Sequence, residues 1–319
     1  MPPAVQDRVP RSNIHHPVTT LLKRYLPPMQ IHGVDFTSAP GPHKPITWAE
    51  GRLAGNKLEI GAVHELHDFG AFEAMLASPG PWVAAMDFPF GLPAETVADL
   101  AWPASWAGYV AEVAMLSADE FYGLLETERA RRPQGEKYRY RPADRLARSA
   151  SPMNAQYPPV ARMFFRGAPL LLRSRCSVPP HPPNGDGRVV VEGYPKLVAR
   201  FCIGDAPYKG RPGARNRSTA VQEAEVKARR ARRRRIVQVI TGERRGLSGA
   251  RLVDVYGCTV SLEPSQRRRL FADSEADLLD AVLDAIEAAW AYSMRRRNYG
   301  IPPGCDPNEG WIVDPGMLT

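Results

Sequence analysis

The sequence predicts an α/β fold in which one mixed sheet carries helices on both faces. Three short strands come first, at residues 29–36, 46–50 and 57–64, and their spacing fits an antiparallel meander. After residue 64, short apolar runs that fit buried strands alternate with segments of helical periodicity. Strands followed by such alternation are typical of a sheet that is covered on each side.

The later elements are bounded by breakers and caps. Ser-Pro-Gly-Pro at residues 78–81 separates the first helix from the next strand. Pro195 suits the first turn of a helix, and Ser274 is a reasonable N-cap. The predicted strands are 82–86 and 189–191, and the predicted helices are 69–77, 105–125, 195–202, 218–241 and 274–292.

The first 28 residues differ from the rest because they are Pro-rich and lack clean periodicity. We predict that residues 1–28 form a flexible N-terminal arm, and that residues 29–319 form a single domain with helical and loop insertions. The 32 prolines of the chain also predict long, irregular loops.

The charge balance is basic, with 42 Lys and Arg against 34 Asp and Glu, a formal charge of +8 and a pI near 9.4. An anionic partner such as nucleic acid fits this excess, although a solubility preference would also explain it. Four widely spaced cysteines and no secretory signal predict reduced thiols in a cytoplasmic protein. No apolar run approaches the length of a membrane span, so no membrane partner is expected.

Four acidic residues stand at the ends or starts of predicted elements. Asp35, Asp87 and Glu192 each end an apolar strand, and Asp280 lies in the first turns of the last helix. A buried, unpaired carboxylate costs several kcal/mol or shifts its pKa. If several strands of one sheet end in this way, the carboxylates converge, and a divalent cation relieves their repulsion. Oxygen ligands favour Mg²⁺ or Mn²⁺ over zinc.

Structural roles compete with this interpretation. Asp35 could cap a turn, and Asp87 before Phe-Pro-Phe-Gly could form an Asx-turn. Asp277, Asp280 and Asp284 fall within an arc of roughly 60° on a helix. Such an acidic stripe usually faces solvent or complements the helix dipole.

Six short motifs occur in an order that resembles the DUF429 family of predicted RNase H-like nucleases. The resemblance extends over residues 29–313, and each motif by itself has low specificity. The motifs are Gly33-Val-Asp-Phe-Thr-Ser, Met86-Asp-Phe-Pro-Phe-Gly-Leu-Pro, Val191-Glu-Gly-Tyr-Pro, Tyr208-Lys-Gly, Asp277-Leu-Leu-Asp-Ala and Glu309-Gly-Trp-Ile.

The resemblance implies a ribonuclease H-like, five-stranded mixed sheet with three antiparallel strands first. It implies a hydrolase that cleaves DNA or RNA with two Mg²⁺ or Mn²⁺ ions, held by carboxylates on the first strand, later strands and the final helix. Carried onto this chain, the implied catalytic and metal-binding residues are Asp35, Asp87, Glu192 and Asp280, with Asp277 as a further metal ligand.

Two other functions remain open at this stage. One is a nucleic-acid-binding protein of the same fold with weak or lost catalysis. The other is a small-molecule phosphoryl-transfer enzyme, for which the prolines after Asp35 are unfavourable because they remove amides that a phosphate needs.

Two basic segments are candidates for phosphate contacts. Seven of the nine residues at 227–235 are basic, and Lys and Arg alternate with Tyr at 137–141, a mixture that can grip phosphates and stack bases. A solvated surface and a packed loop are the structural alternatives. The candidate nucleic-acid-binding residues are Lys137, Arg139, Arg141, Lys209, Arg229, Arg230, Arg232 and Arg233.

Overall fold

A single six-stranded mixed sheet forms the centre of the computed structural model, which describes residues 27–210 and 218–318. The strand order across the sheet is β5-β4-β1-β2-β3-β6. The strands are β1 Met29–Asp35, β2 Ile46–Ala54, β3 Lys57–Leu66, β4 Trp82–Met86, β5 Arg188–Glu192 and β6 Thr259–Ser261.

The first three strands are antiparallel to one another, as the sequence predicts. Strand β4 pairs parallel with β1, and β5 pairs parallel with β4, so both extend the sheet on the other side of β1. The predicted number of five strands is wrong. Strand β6 pairs parallel with β3 over only three residues, too few for a periodic signal.

Helices pack on both faces of the sheet and enclose two hydrophobic cores. The first core includes residues of α7, α8 and α11, and the second includes residues of α1, α3 and α6. The helices are α1 Phe69–Leu76, α2 Ala94–Asp99, α3 Trp106–Met115, α4 Ala118–Ala130, α5 Pro142–Ala147, α6 Val160–Ser174, α7 Lys196–Ile203, α8 Thr219–Ile240, α9 Leu252–Tyr256, α10 Pro264–Ala272 and α11 Asp277–Ser293.

Successive strand residues alternate between these two cores, as the pleat requires. On β4, Val83 and Ala85 belong to the core that contains α11. Trp82, Ala84 and Met86 belong to the opposite core. This alternation decides which residues at the strand ends can meet α11.

Helix α11 lies directly on the sheet, and it is buried around most of its circumference. Its close approach requires a glycine on β1. A Cβ at Gly33 would lie 2.0 Å from the backbone oxygen of Ala281 and 2.2 Å from the backbone nitrogen of Ala285. The helix backbone therefore occupies the space that any other residue would fill, which fixes its acidic start near the end of β1.

Two predicted helices differ from the observed ones, and one long observed helix was not predicted. The segment 105–125 is two helices, because Ser117 and Glu120 form a capping box that starts α4. Helix α11 begins after Ala276, a left-handed residue, and Ser274 is not its cap. Helix α6 was not predicted, although its apolar residues share one buried face; Pro169 lies inside it.

The predicted N-terminal arm falls almost entirely outside the described residues, which begin at Pro27. All four cysteines are free thiols. Within the described ranges, no helix is long and apolar enough to cross a membrane.

Candidate metal centre

Three carboxylates meet at the sheet edge where β1 and β4 end. Asp35, Asp87 and Asp280 each offer one oxygen, and these oxygens all lie within 4.8 Å of one another. The parallel pairing of β1 with β4 places the two strand ends side by side, and the Asp87 amide donates to the Val34 carbonyl at 2.9 Å. Helix α11 supplies Asp280 from its first turns. The three groups could hold a metal ion.

The pleat of the sheet explains why the two strand residues meet the helix. Val34 and Met86 are register partners that belong to the core on the face away from α11. Asp35 and Asp87 follow them by one residue, so alternation turns both carboxylates to the α11 face. The sequence prediction that these two residues converge with Asp280 agrees with this geometry.

Asp280 is fully buried, and one of its oxygens accepts no hydrogen bond from the described residues. The Tyr208 hydroxyl donates to Asp280 Oδ1 at 2.8 Å. Oδ2 forms an ion pair with the Lys209 ammonium. Nevertheless, no described donor approaches Oδ2 with hydrogen-bonding geometry. The Lys209 ammonium therefore satisfies Oδ2 through its charge, because an ion pair does not need that geometry. A buried set of carboxylate oxygens suits a hard divalent cation.

Burial controls the titration of the strand carboxylates. It raises the pKa of Asp35 to about 7 and that of Asp87 to about 6, and Lys209 and Lys44 oppose both rises. The neighbouring Asp277 raises the Asp35 pKa further. Asp87 keeps part of its surface accessible to solvent, whereas Asp35 is only 6% exposed. The more completely buried Asp35 is therefore the carboxyl group whose ionisation the fold opposes more strongly.

Asp277 lies at the rim of this cluster. It does not belong to the group of three residues whose oxygens lie within 4.8 Å of one another. Its Oδ1 pairs with Lys44 Nζ at 2.5 Å, and its side chain is 15% exposed. Burial alone would lower the pKa of Lys44, but Asp35 and Asp277 raise it above its usual value. The predicted role of Asp277 as a metal ligand remains a prediction.

The acidic stripe of α11 continues into the protein interior. Asp284 and Glu287 are fully buried, and neither oxygen of Asp284 has a hydrogen-bond donor among the described residues. Burial, Asp87 and Glu287 raise the pKa of Asp284 well above its usual range. The stripe is therefore not a solvated face. It places two further buried carboxyl groups beside the cluster, and their surroundings oppose ionisation.

Glu192 does not join the cluster, contrary to its expected role as a catalytic and metal-binding residue. It is the register partner of Met86 and therefore faces away from α11. Arg141 donates Nη1 to Glu192 Oε2 at 2.8 Å and Nη2 to Oε1 at 2.6 Å. The Phe90 amide also donates to Oε2 at 3.0 Å. Both oxygens of Glu192 therefore have donors without a metal, although burial outweighs Arg141 and raises the pKa of Glu192.

Gly193, the residue directly after β5, faces the acidic side of α11. A Cβ at this position would lie 2.6 Å from Asp284 Oδ1 and 2.8 Å from Glu287 Oε2. The Glu287 Oε2 atom also accepts the Tyr194 amide at 2.8 Å. The carboxylates of Asp284 and Glu287 therefore occupy the space that a side chain at position 193 would need.

Two of the candidate phosphate-binding arginines are in the interior, and this corrects their predicted role. Arg141 is 1% exposed and pairs with Glu192 and Asp144. Arg233 is 4% exposed and donates to the Tyr208 carbonyl at 2.7 Å. Buried guanidinium groups with these partners cannot reach a phosphate chain at the surface.

The other basic candidates divide into engaged and available groups. Arg139 pairs with Glu95, Asp99 and Glu128. Arg229 and Arg232 share Glu225 and also donate to backbone carbonyls. Lys137 and Arg230 are exposed, and nothing in the described ranges forms a hydrogen bond or close ion pair with them. Lys209 lies against Asp280.

Two charged residues at this site, Lys44 and Glu287, were not predicted, and Asp284 was considered only as part of the acidic stripe. Lys44 comes from the loop between β1 and β2, where nothing in the sequence relates it to Asp277. The burial of Asp284 and Glu287 could have been predicted, because α11 is apolar on every side except at its acidic residues. A helix with no other polar face has to bury part of such a stripe.

No family model, no curated protein and no solved structure matches this chain. The resemblance to DUF429 therefore stays a prediction from motifs. The interpretation of the site rests on its own geometry and electrostatics.

Proposed function

We propose that the protein is a divalent-cation-dependent nuclease of ribonuclease H-like fold that hydrolyses phosphodiester bonds of DNA or RNA. The observation that carries the proposal is the meeting of Asp35, Asp87 and Asp280 oxygens within 4.8 Å at one sheet edge. Two nearby lysines offset only part of this charge. A cluster of this kind gains stability from Mg²⁺ or Mn²⁺.

Cations bound by these carboxylates would generate a water nucleophile near neutral pH and stabilise the leaving oxyanion. Asp35, Asp87 and Asp280 would hold the first cation. Tyr208 orients the Asp280 carboxylate through its hydroxyl. Asp277 at the rim and the donor-free Asp284 are the candidates for contacts to a second cation.

The topology also supports the proposal. An antiparallel meander followed by parallel strands, with acids on the first strand and on the last long helix, fits what the motif resemblance implies. The sixth strand and the pairing of Glu192 with Arg141 depart from that pattern. With Glu192 engaged in this pair, the acids of α11 become correspondingly more important to the cation site.

The exposed face of α8 is the proposed phosphate-binding surface. Lys227, Arg230 and Arg234 are exposed and spaced i, i+3, i+7, so they share one side of the helix. In the described part of the chain they have no hydrogen bond or close ion pair. The opposite side of α8 contacts the segment that carries Lys209, so the basic face points away from that segment and would hold phosphates distant from the reacting one.

A nucleic-acid-binding protein without catalysis is the second candidate. It is favoured by one observation, which is that Lys44 and Lys209 already pair with acids of the cluster. In such a protein the two lysines would permanently take the place of a cation.

The test is cleavage of a panel of labelled DNA and RNA structures with Mg²⁺, with Mn²⁺ and with EDTA. We expect cation-dependent cleavage that Asp35→Asn lowers at least 100-fold, while the exposed control Asp254→Asn leaves it unchanged. Cleavage in EDTA, or full activity of Asp35→Asn, would refute the mechanism. Salt-dependent binding without cleavage would establish the second candidate instead.

A further inference from the structure

Lys209 places a cation of the chain itself against the acidic cluster. Its ammonium contacts Asp280 Oδ2, the same oxygen that lacks a hydrogen-bond donor, and 42% of its side chain remains exposed. We propose that Lys209 and a divalent cation compete for the carboxylates of Asp280 and its neighbours, so that cation binding releases the lysine towards solvent and the substrate.

The backbone that carries Lys209 is held in place by helix α8. Arg232 donates to the Pro207 carbonyl at 2.9 Å, and Arg233 donates to the Tyr208 carbonyl at 2.7 Å. Arg229 donates to the carbonyl of Lys209 itself at 2.6 Å. Three consecutive carbonyls are therefore fixed by three arginines. The movable part is the lysine side chain, whose flexible stem ends in a compact charge.

This arrangement gives the arginines within residues 227–235 a role that their number alone does not reveal. The three inward-facing members are positioning residues that set the reach of Lys209. The segment continues to Gly210, whose amide donates to the Ser274 carbonyl at 2.8 Å just before α11. The backbone around Lys209 is thus tied to α8 and to the residues just before α11.

Electrostatics make the exchange selective for divalent cations. Lys209 contacts Asp280, whose oxygen lies within 4.8 Å of those of Asp35 and Asp87, so its charge acts on the whole cluster and not only on Asp280. A monovalent ion would replace one unit charge by another and gain little. A divalent cation brings twice the charge, and the displaced ammonium keeps a path to solvent because it is half-exposed. There it can pair with an anionic phosphate.

This inference rests on the proposed cation site but not on nuclease activity, and it is tested by Mn²⁺ titration of the full chain at pH 8. Lys209→Met should bind Mn²⁺ at least tenfold more tightly than wild type, because the competitor is gone. Lys209→Arg should stay within about threefold of wild type. The exposed control Lys227→Met removes the same charge from α8 and should leave the affinity unchanged.

Equal or weaker Mn²⁺ binding by Lys209→Met would overturn the inference while leaving the cation site intact. No binding by either protein would remove the cation site, and with it both the proposed function and this inference. Tighter binding by Lys209→Met in a protein that cleaves nothing would keep the inference and refute the nuclease.

A second measurement uses the wild-type protein and so does not depend on the folding of a variant. Lysine acetylation is followed residue by residue by mass spectrometry, with and without Mn²⁺. Displacement should speed the modification of Lys209 at least threefold, and the exposed Lys137 and Lys227 should be unaffected. An unchanged or slower rate at Lys209 would contradict the exchange.

Discussion

Two carboxylate sites lie at the same edge of the sheet. They differ in how many hydrogen-bond donors and cations of the chain contact their oxygens. On the face away from α11, Glu192 receives both terminal nitrogens of Arg141 and the Phe90 amide. On the α11 face, Asp35, Asp87 and Asp280 meet with few donors and two lysines. The first site is complete without any ligand. The second keeps negative charge in excess, which is the condition for binding a cation.

The difference teaches that the residue at a strand end matters less than the face it points to. Met86 and Glu192 are register partners, so Glu192 and Asp87 differ by one position along the sheet edge. One position in a strand reverses the side-chain direction. The same type of residue is therefore structural on one face and available for chemistry on the other.

The largest expected effect comes from removing Arg141, the cation of the Glu192 site. Arg141→Gln leaves Glu192 and Asp144 buried without their cation, so we expect a loss of about 3 to 5 kcal/mol in the free energy of unfolding. Urea denaturation measures it. The matched control is Arg251→Gln, which removes an arginine with the same capping relation to Asp254 at an exposed helix start. The control should cost far less, because solvent screens an exposed pair, and equal losses would show that burial does not matter.

The next prediction concerns the pH dependence of the incomplete site. Burial raises the folded pKa of Asp35 from 3.8 to about 7, so the folded protein binds an extra proton between these values. The cation-free protein should therefore lose stability as pH rises from about 4 to about 7. Asp35→Asn removes this dependence and should be more stable than wild type at pH 8 in EDTA, by up to about 4 kcal/mol.

Urea denaturation in EDTA at several pH values checks this expectation. Asp254→Asn serves as the control, because its carboxylate is exposed and paired and its pKa is lowered. If the difference between Asp35→Asn and wild type stays constant from pH 4 to pH 8, the electrostatic description of the cluster is wrong.

A third prediction sharpens the argument about faces. Gly193→Ala would place a Cβ 2.6 Å from Asp284 Oδ1, so we expect a loss of about 1 to 3 kcal/mol in the free energy of unfolding. The control is Gly61→Ala, where the nearest atom outside the local chain is 3.8 Å away. This control should be nearly neutral. A harmless Gly193→Ala would mean that β5 does not turn this residue towards α11.

Much of the architecture follows from local patterns in the sequence. The meander, the strand at Trp82–Met86 and the long helices have clear periodicity or clear breakers. Asp35 and Asp87 were predictable because both directly follow buried strands. Strand β6 was not predicted, because it pairs with β3 over only three positions and the two strands are far apart in the sequence.

The ligand set was harder to predict than the fold. Glu192 is the last residue of β5, and Asp87 directly follows β4, so the two look alike in the sequence. Only the register between β4 and β5 shows that their side chains face opposite sides of the sheet. Arg141 and Arg233 appear in basic segments, yet the structure buries both. Composition indicates that a segment is basic, but it does not show which of its side chains already have a carboxylate or carbonyl partner.

The smallest expected effect concerns the proposed phosphate surface. Replacing Lys227, Arg230 and Arg234 by Gln should weaken nucleic-acid binding and lower the slope of log K against log salt by about 2 to 3. Arg52, Arg131 and Arg296 are exposed elsewhere, and their replacement removes the same total charge. Equal effects of the two triple variants would show that net charge, and not this face of α8, determines binding.

The most direct test of the comparison is Mn²⁺ titration of wild type, Asp87→Asn and Glu192→Gln, each confirmed to be folded. The account predicts that Asp87→Asn weakens Mn²⁺ binding at least tenfold, while Glu192→Gln stays within about threefold of wild type. Wild-type affinity in Asp87→Asn, or an equal loss in Glu192→Gln, would contradict the assignment of the cation to the α11 face.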